Sequence, residues 1–434
     1  MTALIQLSVR EIPLRIRQRE LSATELVQAL LEWIDRTDPT LQAWAEIDRD
    51  GALREAERLD RLATRGTVLP LHGVPVGLKD VIDVAGLPTR AGFAPLSDRP
   101  AQADATIVAR LRELGAVVLG KTHTTQLAFA DPAPTRNPWN PERTPGGSSS
   151  GSGAAVAARQ VPLAVGTQTA GSVLRPAAYC GVVGFKPSLG WLPLDGVIPL
   201  AWTLDHLGLF VRSVEDAAYV YVALCAHQRL ELPLLTEPPR LLLLVDFLEL
   251  AEPEVAEHLL DVARRFREAG ARVEERRLPV DVGLLLAVHH VIMLAEMGAL
   301  HQQMLERHPD AYGPRLRSAV EVGQLIPSGA LLHARRLRRR LGALLDTFLA
   351  QADAALLPTA SGPAPGRETT GDRRFQAVWT LLGTPAISVP SGLTRDGLPL
   401  ATQLVARYGH DRHLLHVAAW CERILPGLPP PPLT

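Results

Sequence analysis

Residues Pro145 to Pro187 read PGGSSSGSGAAVAARQVPLAVGTQTAGSVLRPAAYCGVVGFKP. Two turns rich in glycine and serine, ending near Ser148 and Ser172, flank a segment rich in alanine and valine. Glycine lets the backbone adopt positive φ and come close to a ligand, and successive backbone N–H groups can converge on an anion or a developing oxyanion. The stretch lacks the patterns G-x-x-x-x-G-K-[ST] and G-x-G-x-x-G. It is therefore not typical of a phosphate loop or a dinucleotide fold.

Helix and strand patterns alternate through the first half of the chain. Ser22 and Glu25 form a capping-box pattern ahead of a helix with apolar residues at helical spacing. A helix pattern at residues 106–115 precedes an apolar strand pattern at 116–122, which indicates an α/β sheet. From about residue 238 the pattern becomes more helical. Other segments that predict helices are 52–63, 150–160, 253–270, 287–308 and 331–352.

Composition excludes several classes of protein. The 434 residues carry a formal net charge of −1, which gives no electrostatic case for nucleic-acid binding. The three cysteines are widely separated, and we find no metal-ligand spacing, so a reducing compartment and no metal are expected. No signal-peptide pattern and no uncharged apolar run of about 18 residues are present. We therefore expect a cytoplasmic protein that does not span a membrane.

Further blocks accompany the central stretch. They are LHGVPVGLKDVIDVAGLPT (Leu71 to Thr89), TLDHLGLFVRSVEDAA (Thr203 to Ala218) and GTPAISVPSGLTRDGLPLATQLV (Gly383 to Val405). With GGSSSGSGAAVA and GTQTAGSVLRPAAYCGVVGFKP, these blocks resemble the amidase signature family of serine hydrolases. The resemblance spans about Ser22 to Trp420, and several ordered blocks make it specific.

The resemblance implies an α/β fold with a large mixed β-sheet sandwiched by α-helices. We expect one domain over residues 1–434. Its four parts would be an N-terminal helical arm (1–65), a catalytic core (66–235), a helical segment bordering the cleft (236–350) and a C-terminal part of the core (351–434).

The resemblance also implies the catalytic residues. It assigns the nucleophile to Ser172, a second serine with a cis peptide bond to Ser148, and the base to Lys79. The backbone N–H groups of Thr169, Ala170, Gly171 and Ser172 would hold the oxyanion, and no cofactor or metal would be needed.

The lysine content supports the assignment of Lys79. Of 45 basic residues only three are lysines, namely Lys79, Lys121 and Lys186, and all lie inside the family blocks. Arginine can replace lysine as a surface charge but does not deprotonate, so a retained lysine is a candidate for chemistry or tight packing. Lys79 can act as a base only if burial lowers its pKa and Asp80 points elsewhere. The structural alternative pairs Lys79 with Asp80 or Asp83.

Several positions depart from the pattern that many relatives share. GTQTAGSVL replaces GTDTGGSIR, GGSSSGS replaces GGSSGGS, and Thr380 stands where an asparagine is common. The substrate therefore does not carry over from a relative. As substrate-binding candidates we select residues beside the catalytic blocks and on the 287–308 helix; the named candidates are Gln126, Phe129, Trp139 and Trp202.

Three functions remain open at this point. The first is a stand-alone amidase that acts on a small carboxamide or a related C–N bond. The second is the glutaminase subunit of an aspartyl/glutamyl-tRNA amidotransferase. The resemblance implies that such a subunit has an acidic residue near its C-terminal glycine block, which binds the amine of glutamine. This chain has Arg373 and Arg374 there. The third is a catalytically silent scaffold, which the intact trio disfavours. A homodimer is compatible with the sequence.

Overall fold

A computed structural model describes residues 3–96, 98–225 and 237–433. Within them, eleven strands form one sheet. The strands are β1 Trp44–Ile47, β2 Pro75–Lys79, β3 Val117–Thr122, β4 Leu163–Gln168, β5 Val183–Lys186, β6 His206–Val211, β7 Arg240–Leu244, β8 Arg272–Arg276, β9 Ala354–Pro358, β10 Ala386–Leu393 and β11 Pro399–Val405.

Fourteen α-helices are present in the same residues. They are α1 Glu11–Gln18, α2 Ala23–Leu41, α3 Arg49–Thr64, α4 Thr106–Glu113, α5 Ser150–Ala157, α6 Leu174–Cys180, α7 Val214–Leu224, α8 Val245–Glu249, α9 Pro253–Glu268, α10 Val282–Arg307, α11 Pro314–Gln324, α12 Ser328–Leu349, α13 Arg374–Leu382 and α14 Asp411–Ile424. Short 3₁₀ turns occur at Leu4–Gln6, Gln126–Ala128 and Pro309–Ala311.

The sheet is mixed, with strand order β1-β3-β2-β4-β6-β5-β10-β11-β9-β7-β8. Strands β3, β2 and β4 run parallel, and β7 pairs in parallel with both β8 and β9, whereas the other neighbours are antiparallel. Strands β2 to β6 and β9 are buried at every residue, because helices cover both faces of the sheet. The predicted mixed α/β fold is therefore confirmed.

The parallel pair β2 and β4 positions the site. Because the carboxyl ends of neighbouring parallel strands meet at one edge, Lys79 at the end of β2 comes beside Thr167 near the end of β4. Helix α5 follows the first glycine/serine turn and packs on β2, β3, β4 and β6. All its residues are serine, glycine, alanine or valine and all are buried, so its backbone lies close to the sheet.

Most sequence-predicted helices are present with shifted ends. The Ser22 side chain accepts a hydrogen bond from the Glu25 backbone N–H (3.0 Å), as the capping-box pattern predicts. The segment predicted at 287–308 begins earlier, at Val282, where Asp281 caps the helix. By length and composition α10 is a candidate membrane span, and 56% of its most apolar window is buried inside the protein. It packs against α11, α12 and α13.

Two segments that we expected to be helical also contain strands. Strand β1 lies within residues 1–65 and pairs with β3, and β7 and β8 lie within 236–350 at one edge of the sheet. The Leu-rich β7 cannot be distinguished from a buried helix by periodicity, and β8 carries the charged side chains that edge strands tolerate. The boundary expected at 235/236 lies outside the described residues.

Candidate active site

Lys79 lies at the centre of a buried hydrogen-bonded group. Its side chain is fully buried, and Nζ lies 2.7 Å from Ser148 Oγ and 2.7 Å from Thr167 Oγ1. Burial lowers the pKa of Lys79 to about 7, and the charge of Asp205 acts in the opposite direction. Burial therefore favours the neutral amine, whose lone pair can accept a proton, far more than in an exposed lysine.

Asp80 does not pair with its neighbour Lys79. Its Oδ1 lies 3.0 Å from Nζ of Lys121, and its Oδ2 accepts a hydrogen bond from the Ala91 backbone N–H (3.1 Å). Asp80 lies in the turn that directly follows β2, and these two contacts hold its carboxylate away from Lys79. Among the described residues no carboxylate lies within ion-pair distance of Lys79, and the condition we set for a lysine base is met.

The first serine loop is held by its own hydroxyls. Ser150 Oγ donates to the Gly146 carbonyl (2.7 Å), and Ser149 Oγ donates to the Thr167 carbonyl (3.2 Å) while it accepts from the Thr167 N–H (3.3 Å). The peptide bond between Gly147 and Ser148 is cis. These contacts keep Ser148 buried beside Lys79.

The second serine loop joins β4 to α6 and carries Ser172. Gln168 Oε1 accepts from the backbone N–H groups of Val173 (2.9 Å) and Leu174 (3.1 Å), and its Nε2 donates to Thr380 Oγ1 (3.0 Å). Thr380 in turn donates to the Ala170 carbonyl (2.7 Å). Gln168 and Thr380, two of the positions that depart from the family pattern, therefore contact each other and brace the loop.

Arg175 connects the two serine loops. Its NH2 donates to the Gly147 carbonyl (2.7 Å), and its NH1 donates to the Gly371 carbonyl (2.8 Å). The guanidinium is buried, which lowers its pKa to about 10. Arg175 thus fixes the backbone just before Ser148 while it sits three residues after Ser172.

The backbone donors expected to hold an oxyanion are available. In the described part of the chain, the N–H groups of Thr169, Ala170, Gly171 and Ser172 donate to no protein acceptor. The Thr169 hydroxyl donates to Asp205 (2.5 Å), and the Thr169 carbonyl lies 2.9 Å from Nε2 of His289 on α10. The loop is held from both sides and its N–H groups remain free for a ligand.

Asp205 serves as a hydrogen-bond acceptor. It is buried and accepts from the backbone N–H groups of Leu200 (2.8 Å) and Ala201 (3.1 Å) in addition to Thr169. Burial raises the pKa of Asp205 to about 6, and the hydrogen bonds and Lys79 act in the opposite direction. Its contacts join the turn before β6 to the Ser172 loop.

Ser172 opens into a cavity of about 490 Å³. Its other walls come from the 3₁₀ turn after β3, from Met293 on α10 and from residues 369–373 before α13. The Ser172 hydroxyl forms no hydrogen bond with the described residues. A cavity of this size with a serine and free backbone donors in its wall can hold a small amide.

The four substrate-binding candidates occupy different places. Phe129 lines the cavity. Gln126 lies beside the cavity, and its side-chain amide donates to the Ala311 carbonyl (2.9 Å) and accepts from the Gly313 N–H (2.6 Å). Trp139 lies elsewhere, with Nε1 on the Cys180 carbonyl (2.8 Å) in a groove beside residues 425–431. Trp202 is 46% exposed and is not part of the cavity wall. We selected Trp139 and Trp202 because they lie close in sequence to catalytic blocks. The chain leaves the cavity between those blocks and the two tryptophans, so neither residue lines it.

Sequence reasoning missed Thr167 and the pair of Gln168 with Thr380. Thr167 had a usable signal, since it is the first hydroxyl in a buried strand, LAVGTQ, whose preceding residues have no polar side chain. The Gln168–Thr380 contact joins residues 212 positions apart, and no pattern in a single sequence predicts such a contact.

Comparisons with known proteins identify the family of the chain. The Amidase family model matches residues 25–415. An amidase of Pseudomonas putida is 34% identical, with 92% of each chain covered. A glutamyl-tRNA(Gln) amidotransferase subunit of Thermus thermophilus is also 34% identical, with 94% of this chain and 95% of that protein covered. A crystal structure of an amidase superposes with a TM-score of 0.90 at 31% identity, covering 97% of this chain and all of the other. The chain therefore belongs to the amidase family and is a hydrolase that acts on amide C–N bonds.

Proposed function

We propose that this amidase hydrolyses a small carboxamide or a related C–N bond through an acyl-enzyme on Ser172, with Ser148 as proton relay and Lys79 as base. The observation that carries the proposal is the 2.7 Å contact between Lys79 Nζ and Ser148 Oγ, made by a fully buried lysine that has no carboxylate partner among the described residues. A charged ammonium could not accept a proton, and burial supplies the neutral amine.

Thr167 orients the base in this proposal. A neutral amine has two N–H groups and one lone pair. When Thr167 Oγ1 accepts one N–H at 2.7 Å, the lone pair is free to face the Ser148 hydroxyl. The hydrogen bond is thus compatible with the orientation in which Lys79 accepts a proton from Ser148.

The proton path ends at the contact between Ser148 and Lys79. Its first step, from Ser172 to Ser148, belongs to the proposal, because no hydrogen bond joins these two hydroxyls among the described residues. The Ser172 proton moves to Ser148 Oγ as the Ser148 proton moves to Lys79, and Ser172 Oγ attacks the carbonyl carbon. The backbone donors of residues 169–172 bind the oxyanion. As the C–N bond breaks, Ser148 gives a proton to the leaving amine and takes one from Lys79. Water, activated along the same path, then releases the carboxylic acid and frees Ser172.

The second candidate is a glutaminase subunit, since relatives that are amidotransferase subunits reach the same identity as the amidase. Residues 372–374 argue against it. The Asp372 carboxylate is bound by the side chain of Arg374 (2.7 Å), and Arg373 lines the cavity. A glutamine amine would therefore meet a positively charged wall. We therefore favour an amidase that acts without partner subunits.

The test is covalent labelling of the isolated chain with a fluorophosphonate, followed by peptide mapping. We expect the label on Ser172 and ammonia release from simple amides that is lost in Ser172→Ala while the circular dichroism is unchanged. A label on another serine, or full activity of Ser172→Ala, would overturn the mechanism. Glutaminase activity that appears only with added partner subunits would favour the second candidate.

A further inference from the structure

The cavity wall beside Ser172 carries an excess of positive charge. Arg175, Arg315 and Arg373 all line it. Asp372 is the single carboxylate among the described lining residues, and Arg374 binds it through both its backbone N–H (2.9 Å) and its Nε (2.7 Å). The cationic groups of the wall are therefore not neutralised from within it.

The three arginines differ in how their donors are used. Arg175 donates to the carbonyls of Gly147 and Gly371, and Arg315 donates through NH1 to the Ala130 carbonyl (3.2 Å). The NH2 of Arg373 lies 3.4 Å from Nδ1 of His290, which is long for a hydrogen bond. Within the described residues none of the three forms an ion pair, whereas the neighbouring Arg374 does. Arg373 thus has unused donors at the cavity.

The Arg373 guanidinium lies over the face of the Phe129 ring. The guanidinium carbon lies 5.7 Å from the centre of the Phe129 ring, and both residues line the cavity. The five donors of a guanidinium lie in its plane, in a fork that matches a carboxylate. Contact with the ring therefore leaves the in-plane donors available to a ligand.

We propose that the cavity binds amides that carry a carboxylate, with Arg373 as the carboxylate-binding residue and Arg315 as a second cation of the same subsite. The proposal rests on the proposed function for the bond that is cleaved. Leu200 and Met293 provide apolar wall for a short carbon chain between the two groups. Paired hydrogen bonds from arginine to a carboxylate are among the strongest in proteins, so the charge at this end of the substrate should dominate selectivity.

Matched substrates test the subsite. Succinamate, glutaramate and adipamate each have a neutral diamide with the same carbon skeleton, namely succinamide, glutaramide and adipamide. We expect kcat/KM to favour at least one of the three anions over its diamide, and Arg373→Gln to lower that ratio by about 10- to 100-fold, the loss typical of a charged hydrogen bond. Arg315→Gln should lower it less. Arg339→Gln, an exposed charge change on α12, should leave the ratio unchanged. Equal rates for anion and diamide in all three pairs, or a ratio that survives Arg373→Gln, would overturn the subsite.

A binding measurement separates this inference from the proposed mechanism. In the Ser172→Ala background, calorimetric titration should show at least one anion binding more tightly than its diamide, and Arg373→Gln should abolish the difference. If this holds while activity proves independent of Ser172, the mechanism is wrong and the subsite stands. If Ser172 is required and anion and diamide bind equally in every pair, the mechanism stands and the subsite is wrong.

Discussion

Asp80 and Lys121 form a buried ion pair in which Oδ1 and Nζ are 3.0 Å apart. Both side chains are almost completely excluded from solvent, and the pair holds the carboxylate that directly follows Lys79 in the chain. The base candidate is consequently left with hydroxyl partners.

Breaking this pair should cost stability. Lys121→Met leaves the Asp80 carboxylate buried without its cation, and we expect a loss of about 3–5 kcal/mol in the free energy of unfolding. The double variant Asp80→Asn/Lys121→Met should recover much of that loss, because it removes both charges. Urea denaturation of the wild type, Lys121→Met, Asp80→Asn and the double variant gives the four free energies of unfolding, and additive losses in the double variant would contradict a direct pairing.

Substitution of Lys79 should separate charge from proton acceptance. Lys79→Arg keeps a cation but stays protonated, so we expect it to lower kcat/KM about as strongly as Lys79→Ala, by roughly 10²- to 10⁴-fold. Steady-state rates on any amide that the wild-type enzyme cleaves decide the matter. An arginine variant with much of the wild-type activity would remove Lys79 from the mechanism.

The pH profile should report the ionisation of Lys79. Because its pKa is lowered to about 7, the amine is charged below that pH and neutral above it, so kcat/KM should rise with pH through about 7 and then level off. Asp205 raises the pKa of Lys79, and Asp205→Asn should therefore move the midpoint to lower pH. Lys186 is the control, since burial lowers its pKa to about 7 as well while its amine donates to the Pro187 and Thr384 carbonyls. A midpoint that moves in Lys186→Met and stays in Asp205→Asn would assign the ionisation elsewhere.

Removing the Thr167 hydroxyl should misorient the base. Thr167→Val keeps the shape of the side chain and deletes one acceptor of the Lys79 amine, and we expect kcat/KM to fall about tenfold. Thr122→Val is the matched control, because Thr122 is also a buried threonine on a strand, and its hydroxyl forms a hydrogen bond with the Ser152 hydroxyl (2.8 Å). Equal losses in the two variants would mean that the effect is general packing.

Gln168 and Thr380 should behave as a coupled pair. Many family members have aspartate and asparagine at these positions, whereas here an amide donates to a hydroxyl. Gln168→Asp alone removes that donor and adds a buried charge, so it should weaken the Ser172 loop. Adding Thr380→Asn supplies an N–H donor to the new carboxylate, and a double-mutant cycle in unfolding free energy should give a favourable coupling of about 1 kcal/mol or more. Simple additivity would show that the contact plays no part in bracing the loop.

From the sequence alone, the family, the mixed α/β class and the three residues of the proposed mechanism could be predicted. The resemblance to the amidase signature family, carried by several ordered blocks, implied the family and the three residues, and the retention of Lys79 in a chain of 42 arginines supported one of them. The α/β class also follows from apolar strands beside amphipathic helices. The strand character of β7 and β8 was missed because a run of leucines and a run of charges have no unambiguous period.

The tertiary structure decided what surrounds those residues. Lys79 and Thr167 are 88 positions apart, and Gln168 and Thr380 are 212 apart, so their contacts exist only because β2 lies beside β4 and α13 packs against the Ser172 loop. The same reason governs the cavity: Arg373 and Phe129 meet there, whereas Trp139 and Trp202, although close in sequence to the serine loops and to Asp205, lie outside it. Motifs are local in the chain, but burial, pKa and substrate contacts depend on which distant segments the sheet brings together.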